Sequence, residues 1–391
     1  MTTQADDAPL LVETQGDLAR LAERLAREPR VALDTEADSL HAFRERVCVV
    51  QVSVPGLDAI VDPLKVPDLS PLREVVARPD VEIVFHGGDY DITVLSRDHG
   101  FSFGRVFDTM IAATLLGVEK VGLQALVEAE WGVLLSKKFQ TSDWKRRPFS
   151  PAQVEYLRSD TRYLLELRER LTARLAAADL EEEAAIEFRR LATRRGAPHG
   201  DDPEAWRRVR GADRLDARGR AVFARAFAWR DEVAARHDVP RFRVVTNDAL
   251  VALATNPPAD LAALGKVPGT EGTVRAGDGE ALLAALLAGV DDAARGEGPA
   301  ALERPRLTSE ERSRRDAARG REERLRAWRT HEARRRQVPN VVVLPNPALL
   351  AFAEDPPLDV AAVAAHPDCG RKRAALYGTA ILEALAGPAP K

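Results

Sequence analysis

Asp34 and Glu36 close the run Val31-Ala32-Leu33-Asp34-Thr35-Glu36, in which apolar residues lead straight into two acids one residue apart. A short apolar run with turn-like neighbours reads as a buried strand. Side chains alternate faces along a strand, so Asp34 and Glu36 share one face while Leu33 and Thr35 take the other. Two carboxylates so placed repel each other, and partial burial adds to the cost. A divalent cation relieves both, and Mg2+ and Mn2+ are hard ions that favour carboxylate oxygen. The plain alternative is a solvated strand end. Further acids fit the same chemistry. After Phe85 the chain runs His86-Gly87-Gly88-Asp89-Tyr90-Asp91, a glycine turn opening a helix. Asp89 and Asp91 read there as caps or dipole partners, or one of them leans over the strand end toward Asp34. Tyr156 and Asp160 stand four apart on a later helix and lie one above the other. An acid among leucines needs a reason, and a neighbouring tyrosine could hold or activate a water.

The elements around these residues follow from pattern. Leu18, Leu21, Ala22 and Leu25 have helical spacing over residues 18–27, with Asp17 as N-cap or first-turn acid. Residues 46–53 and 59–62, separated by Pro55-Gly56, suggest a meander of antiparallel strands. Residues 71–77 read as a helix and 82–86 as a strand. That order implies a mixed α/β sheet. Asp108 reads as the N-cap of a helix over 109–117. Residues 150–173 form one strong helix, with Ser150 as N-cap, Pro151 at its first position and Gln153 at the capping-box position.

Length and composition bound the rest. A chain of 391 residues suggests two to three domains, and 45% hydrophobic residues supply an ample core. The net charge of −4 is unevenly spread: residues 304–391 hold 17 basic against 11 acidic side chains. A basic tail behind an acidic body points to a polyanion partner. Cys48 and Cys369 stand alone, which excludes a cysteine zinc site and a disulfide framework. No signal peptide is visible, and the longest apolar stretch, 281–290, is too short to span a bilayer. A cytoplasmic setting without membrane contact is the expectation.

Residues 124–147 are loop-rich and basic, with Lys137, Lys138, Lys145, Arg146 and Arg147 around Trp144. Such a loop can hold a single nucleic-acid strand by phosphate contact and stacking, or be a solvated loop. For Trp144 core packing is favoured. Behind this region the sequence repeats: residues 229–264 align without a gap on 328–363. Trp229-Arg230 matches Trp328-Arg329, Val239-Pro240 matches Val338-Pro339, and Asn247 matches Asn346. A period of this length indicates two tandem, mostly helical domains. Residues 289–305 read as their linker. Arg371, Lys372 and Arg373 precede an apolar helix in the second unit. They serve either phosphate contact or a solvated face.

In combination these signals resemble the DEDD superfamily of 3′→5′ exonucleases, in its tyrosine subclass. Thr141-Ser142-Asp143-Trp144-Lys145-Arg146-Arg147-Pro148 and Tyr156-Leu157-Arg158-Ser159-Asp160 resemble the ribonuclease D family, as does the segment from His86 to Asp91. The tandem units resemble HRDC domains, small helical bundles associated with nucleic-acid binding. The resemblance implies a ribonuclease H-like α/β exonuclease domain, a mixed sheet flanked by helices, over 1–195. Two all-α HRDC bundles follow at 203–290 and 305–388. It implies that Asp34, Glu36, Asp91 (rather than Asp89) and Asp160 hold two divalent cations, Mg2+ or Mn2+, about 4 Å apart. One lowers the pKa of the attacking water and the other stabilises the leaving oxygen, while Tyr156 orients or helps deprotonate that water. Its unperturbed pKa near 10 makes positioning the safer of those roles. The implied partner is RNA with a free 3′ end, tRNA precursors being the family's usual substrates, and a monomer is favoured. A DNA 3′→5′ exonuclease and a non-catalytic RNA-binding scaffold are the alternatives.

Overall fold

The computed structural model describes residues 8–198, 200, 202, 204–301 and 307–387. The expected domain limits at 1, 203, 305 and 388 lie outside the described residues. The chain forms two compact units: Met1–Glu36, Val47–Ala197 and Leu307–Lys391 make one, and Ala37–Arg46 with Pro198–Arg306 the other.

The first unit opens with β1 (Leu10–Val12), α1 (Gln15–Leu25), β2 (Arg30–Ala37), β3 (Val47–Val54), β4 (Leu57–Val61), α2 (Ser70–Val76) and β5 (Glu82–Phe85). There follow α3 (Asp89–His99), β6 (Arg105–Asp108), α4 (Thr109–Leu115), α5 (Leu123–Trp131), α6 (Pro151–Arg162), α7 (Leu164–Ala177) and α8 (Glu181–Ala192). Its sheet has the order β1-β4-β3-β2-β5-β6. β3 runs antiparallel to β4, whereas β1–β4, β2–β5 and β5–β6 are parallel, so the sheet is mixed as expected.

Burial on both faces explains why β3 is apolar almost throughout. On one face Val31, Leu33, Val50, Val52 and Ile83 meet Leu18 and Leu25 of α1, Leu72 of α2 and Leu95 of α3. On the other, Ala32 and Val84 meet Leu164, Leu167 and Leu171 of α7, and Cys48, Val49 and Ile60 meet Tyr156 and Leu157 of α6. Asp34 and Glu36 continue the phase of Ala32, so the alternation carries both acids to the α6 face.

Three expectations are corrected. Residues 150–173 are not one helix: Tyr163, at φ −93° and ψ −12°, separates α6 from α7. No proline or glycine marks that break; Tyr163 packs on Trp131 at 5.5 Å instead. Part of 124–147 is helical, because Leu123, Leu126 and Val127 have helical spacing and the last two are buried. The linker begins after Ala294 rather than at Gly289. Gly289 is a packing glycine, and a Cβ there would stand 2.5 Å from Val222 Cα.

The second unit holds α9 (Ala217–Arg236), α10 (Arg241–Val244), α11 (Asn247–Thr255), α12 (Leu261–Leu264), α13 (Glu271–Arg275) and α14 (Gly279–Ala294) around Phe223, Leu250, Leu253 and Leu282. Residues 37–46 belong to it, the Arg241 guanidinium lying 4.4 Å over the Phe43 ring. The repeat of this bundle sits in the first unit as α15 (Ser309–Arg336), α16 (Asn340–Val343), α17 (Asn346–Glu354), α18 (Val360–Ala365) and α19 (Gly370–Ala386). The matched residues do matched work. Arg230 Nη1 donates to Val245 O at 3.1 Å and Asn247 Oδ1 at 2.8 Å; Arg329 Nη1 donates to Leu344 O at 2.9 Å and Asn346 Oδ1 at 2.8 Å.

Candidate active site

Three segments bring acids together. β2 delivers Asp34 and Glu36 on the α6 face. Beside β2, β5 ends at Phe85, and the turn through Gly87 and Gly88 starts α3 with Asp91 in its first turn. Gly87 has φ +70°, and a Cβ on Gly88 would stand 2.5 Å from the Phe85 ring, so this turn needs both glycines. Asp108 fixes it from below: its carboxylate accepts from Gly88 N at 2.8 Å and caps α4 at Met110 N and Ile111 N, both 2.9 Å. The expected N-cap role of Asp108 therefore holds, and it extends to the turn that carries Asp91.

α6 supplies Tyr156 and Asp160. Its capping box pairs Ser150 with Gln153. Its registration on the sheet comes from a buried polar chain: Arg158 Nε donates to Asp58 Oδ2 at 2.6 Å, Ser53 Oγ to Asp58 Oδ1 at 2.7 Å, and Ser53 meets Thr161 Oγ1 at 2.7 Å. Trp144, 1% exposed, stacks on the Tyr156 ring at 5.7 Å, so the favoured packing role holds.

Electrostatics show how closely the acids converge. Burial, then Asp91, Asp160 and Glu36, push the Asp34 carboxyl well above the usual carboxylate range. Burial and Asp160 raise Glu36 to about 8, against the lowering influence of the Tyr156 hydroxyl, which donates to it, and the Trp144 indole. Burial and Asp91 raise Asp160 to about 8. Burial lifts Asp91 to about 6 while a 2.6 Å hydrogen bond from Thr35 Oγ1 pulls the other way. Tyr156 is raised above its ordinary value by burial and by Asp160, Glu36 and Asp34. His86, near Thr109 Oγ1 at 2.9 Å, is lowered to about 4 by burial and stays neutral at pH 7. Asp89 faces outward and pairs with Arg194, which separates its role from that of Asp91.

Such a set of hard oxygen donors fits a divalent cation: positive charge would reverse every one of these carboxylate shifts. Asp160 Oδ2 is buried without a hydrogen-bond partner, so one donor is already free. Among the described residues, no three His, Cys, Asp or Glu side chains are closed into a ready metal cage. Two-cation sites draw remaining ligands from substrate phosphate and water.

A cleft of about 640 Å³ opens on this cluster, lined by Asp34, His86, Tyr156 and Asp160 on one side and by Lys120, Gln124, Lys137 and Gln140 among others. Of the expected basic contacts, Lys137 lines the cleft, Lys138 and Arg146 are exposed and Lys145 is half-buried. Arg147 is committed to the fold, donating to Asp62 Oδ2 at 2.6 Å, Trp144 O at 2.6 Å and Cys48 O at 2.9 Å. In the second repeat only Arg371 is exposed. Lys372 Nζ pairs with Asp179 at 3.0 Å and Glu183 at 3.3 Å. Arg373 is 1% exposed and donates to Val341 O and Val342 O at 3.0 Å. Phosphate contact at Arg147, Lys372 and Arg373 is thus corrected: internal acceptors occupy their donors. Thr35, Lys120, Gln124 and Gln140 were missed. Alternation sends Thr35 to the opposite face, yet Asp91 approaches past the end of β5 within its reach. Gln124 lies in α5, whose apolar spacing marks the buried face but not the cleft, and Lys120 and Gln140 lie in loops with no period.

A 3′–5′ exonuclease family profile matches residues 9–176, and an HRDC-domain profile matches 219–286 and again 318–385. Fold and site together define a 3′–5′ exonuclease domain followed by two HRDC domains. The chain is 36% identical over 309 residues to ribonuclease D of Acidiphilium cryptum, covering 76% of this chain and 77% of that one. It is 34% identical over 284 residues to ribonuclease D of Sphingobium indicum, covering 71% and 72%. The chain belongs to the ribonuclease D family of 3′–5′ exoribonucleases. Among solved structures, Escherichia coli RNase D shares the fold with a TM-score of 0.65 and 24% identity over 89% of this chain and 90% of that one. The catalytic core of RRP6 from Trypanosoma brucei matches with a TM-score of 0.63 and 29% identity over 73% and 80%. No helix among the described residues is long and apolar enough to cross a membrane.

Proposed function

We propose that this protein trims structured RNA from the 3′ end by hydrolysis, one nucleoside 5′-monophosphate at a time, with two divalent cations held by Asp34, Glu36, Asp91 and Asp160. The observation that carries this reading is the meeting of four buried carboxylates whose proton affinities are raised by burial and by one another. Asp34 feels all three of the others, and would be the ligand best placed to serve both cations. When bound, Mg2+ or Mn2+ would make the attacking water more acidic and neutralise charge on the leaving oxygen.

The chain's own groups do the positioning. Tyr156 is raised above an already high pKa, so at neutral pH it keeps its proton and does not serve as the base. Its hydroxyl, beside Glu36 and Asp160, can accept from a water and aim that water's own lone pair at phosphorus. His86 is neutral at the rim and can meet phosphate or sugar by hydrogen bonding. Lys120 and Lys137 line the same cleft as Asp34 and Asp160 and supply positive charge for the phosphate backbone.

The substrate is RNA with a free 3′ end, tRNA precursors foremost. Two tethered modules would raise the local concentration of a folded RNA at the cleft. Both cysteines are buried and outside any disulfide, which suits a monomer working in the reducing cytoplasm. The test incubates the protein with 3′-tailed RNA and the matching DNA in Mg2+, Mn2+ or EDTA and separates the products. Stepwise, metal-dependent shortening of RNA to 5′-monophosphates is expected. Preference for DNA, or tight binding without shortening, would overturn the reading.

A further inference from the structure

Gln51 is 1% exposed in the middle of β3, and both its Oε1 and its Nε2 are buried without a hydrogen-bond partner. Leaving one buried polar group unsatisfied costs about 1–3 kcal/mol, so a central strand of valines is a poor place for an idle amide.

Its surroundings are fixed by register. Gln51 stands opposite Ile60 on β4, and Ser53 opposite Asp58. Directly opposed residues of an antiparallel pair share a face. Ile60 packs with Tyr156 and Leu157 of α6, while Ser53 and Asp58 bind Thr161 and Arg158 of the same helix. Gln51 therefore lies on the α6 face, under the turn from Leu157 to Thr161. That turn carries Asp160, whose Oδ2 is also buried without a partner, as is the Trp144 indole nitrogen on the same face. On the side away from β4, β3 adjoins β2, the strand of Asp34 and Glu36. A buried donor with no acceptor and a buried carboxylate oxygen with no donor thus occupy facing elements beneath the acid cluster.

We propose that Gln51 is a positioning residue for Asp160: through one bridging water its Nε2 donates to the Asp160 carboxylate and holds it in the orientation that would bind the cation. This inference rests on the assignment of Asp160 as a metal ligand. The amide is suited to the task. It adds a donor at the floor of the site without adding charge, whereas a lysine or arginine there would compete with the cation. Partners that orient metal ligands in this way are commonly worth 10–100-fold in metal affinity or activity.

The test compares wild type with Gln51→Leu and Gln51→Met, which replace the amide by apolar groups of similar size. Melting temperature is followed in EDTA and across a Mn2+ titration, with turnover measured in parallel. The expected result is an EDTA melting temperature close to wild type, because the one bridged hydrogen bond lost is offset by removal of a buried amide oxygen that has no partner. The Mn2+ concentration for half of the thermal shift should rise by about 10–100-fold, and kcat should fall with KM little changed. An unaltered Mn2+ midpoint in either folded variant would overturn the proposal while leaving the metal site intact. If wild type shows no Mn2+-dependent shift, the metal-site reading fails first and takes this inference with it.

Discussion

Asp160→Asn should stabilise the metal-free protein while abolishing its activity. Burial and Asp91 raise the Asp160 carboxyl from an ordinary 3.8 to about 8. At pH 7 the metal-free fold must then keep a proton that the unfolded chain releases, at a cost of about 4 kcal/mol. Side-chain relaxation and the sharing of repulsion among four acids reduce this to on the order of 2 kcal/mol for Asp160 alone. An amide has the shape of the protonated acid and escapes that cost, so the melting temperature in EDTA should rise by about 4–8 °C at pH 8. The folded pKa lies above the unfolded one, so the stability tied to this proton is full below about pH 4 and is lost as pH rises through about 8. The gain from Asp160→Asn should accordingly vanish near pH 4. Differential scanning fluorimetry in EDTA at both pH values measures it. With Mg2+ present, turnover should fall by on the order of a thousandfold or more while RNA binding stays within a few-fold, because the lost ligand acts in the transition state. A lower melting temperature for the variant in EDTA at pH 8 would refute the reasoning, since Asp160 would then be a satisfied carboxylate.

Tyr156→Phe should lower kcat by about 10–100-fold without moving the alkaline side of the pH–rate profile below pH 9, since the hydroxyl positions water and does not titrate there; a profile shifted by the variant would make Tyr156 the base. Thr35→Val removes the 2.6 Å hydrogen bond to Asp91 and should raise the Mn2+ requirement for turnover by about tenfold, as read in a metal titration. Arg371→Ala should leave the melting temperature unchanged and weaken RNA binding a few-fold at low salt. Arg373→Ala should instead cost about 2–4 kcal/mol in denaturant unfolding, because the Val341 and Val342 carbonyls lose their donor. Equal effects of the two arginine variants would contradict the division drawn between them.

The chemistry of the site was legible because its residues are tied to strong local signals. Asp34 and Glu36 close an apolar run, Asp91 follows a pair of glycines, and Tyr156 and Asp160 have helical spacing behind a capping box. Each signal survives translation into structure because it specifies a backbone shape as well as a side chain. What failed had no such anchor. β1 is three apolar residues long, Leu10 and Leu11 exposed and Val12 buried, too short for an alternation to show. β6 is four residues long and was absorbed into the approach to Asp108. The break at Tyr163 depends on a partner thirty-two residues away, Trp131, and no local rule reports it.

Basic residues are the hardest to read, and the repeats show why. The end of α10 and the end of α16 both present carbonyls that need donors. In the first repeat Thr273 donates to Val244 O, the last residue of α10; in the second, Arg373 Nε donates to Val342 O at 3.0 Å, one residue before the counterpart of Val244. The requirement belongs to the bundle, and a small hydroxyl or a long guanidinium can meet it. Arg373 therefore has the composition of a phosphate contact and the surroundings of a helix cap, while Arg371, two residues earlier on α19, points to solvent. A run such as Arg371-Lys372-Arg373 gives the net charge of the helix start but not how much of it reaches the surface. Lys372 meets Asp179 and Glu183, Arg373 meets carbonyl oxygen, and one cation of the three remains exposed.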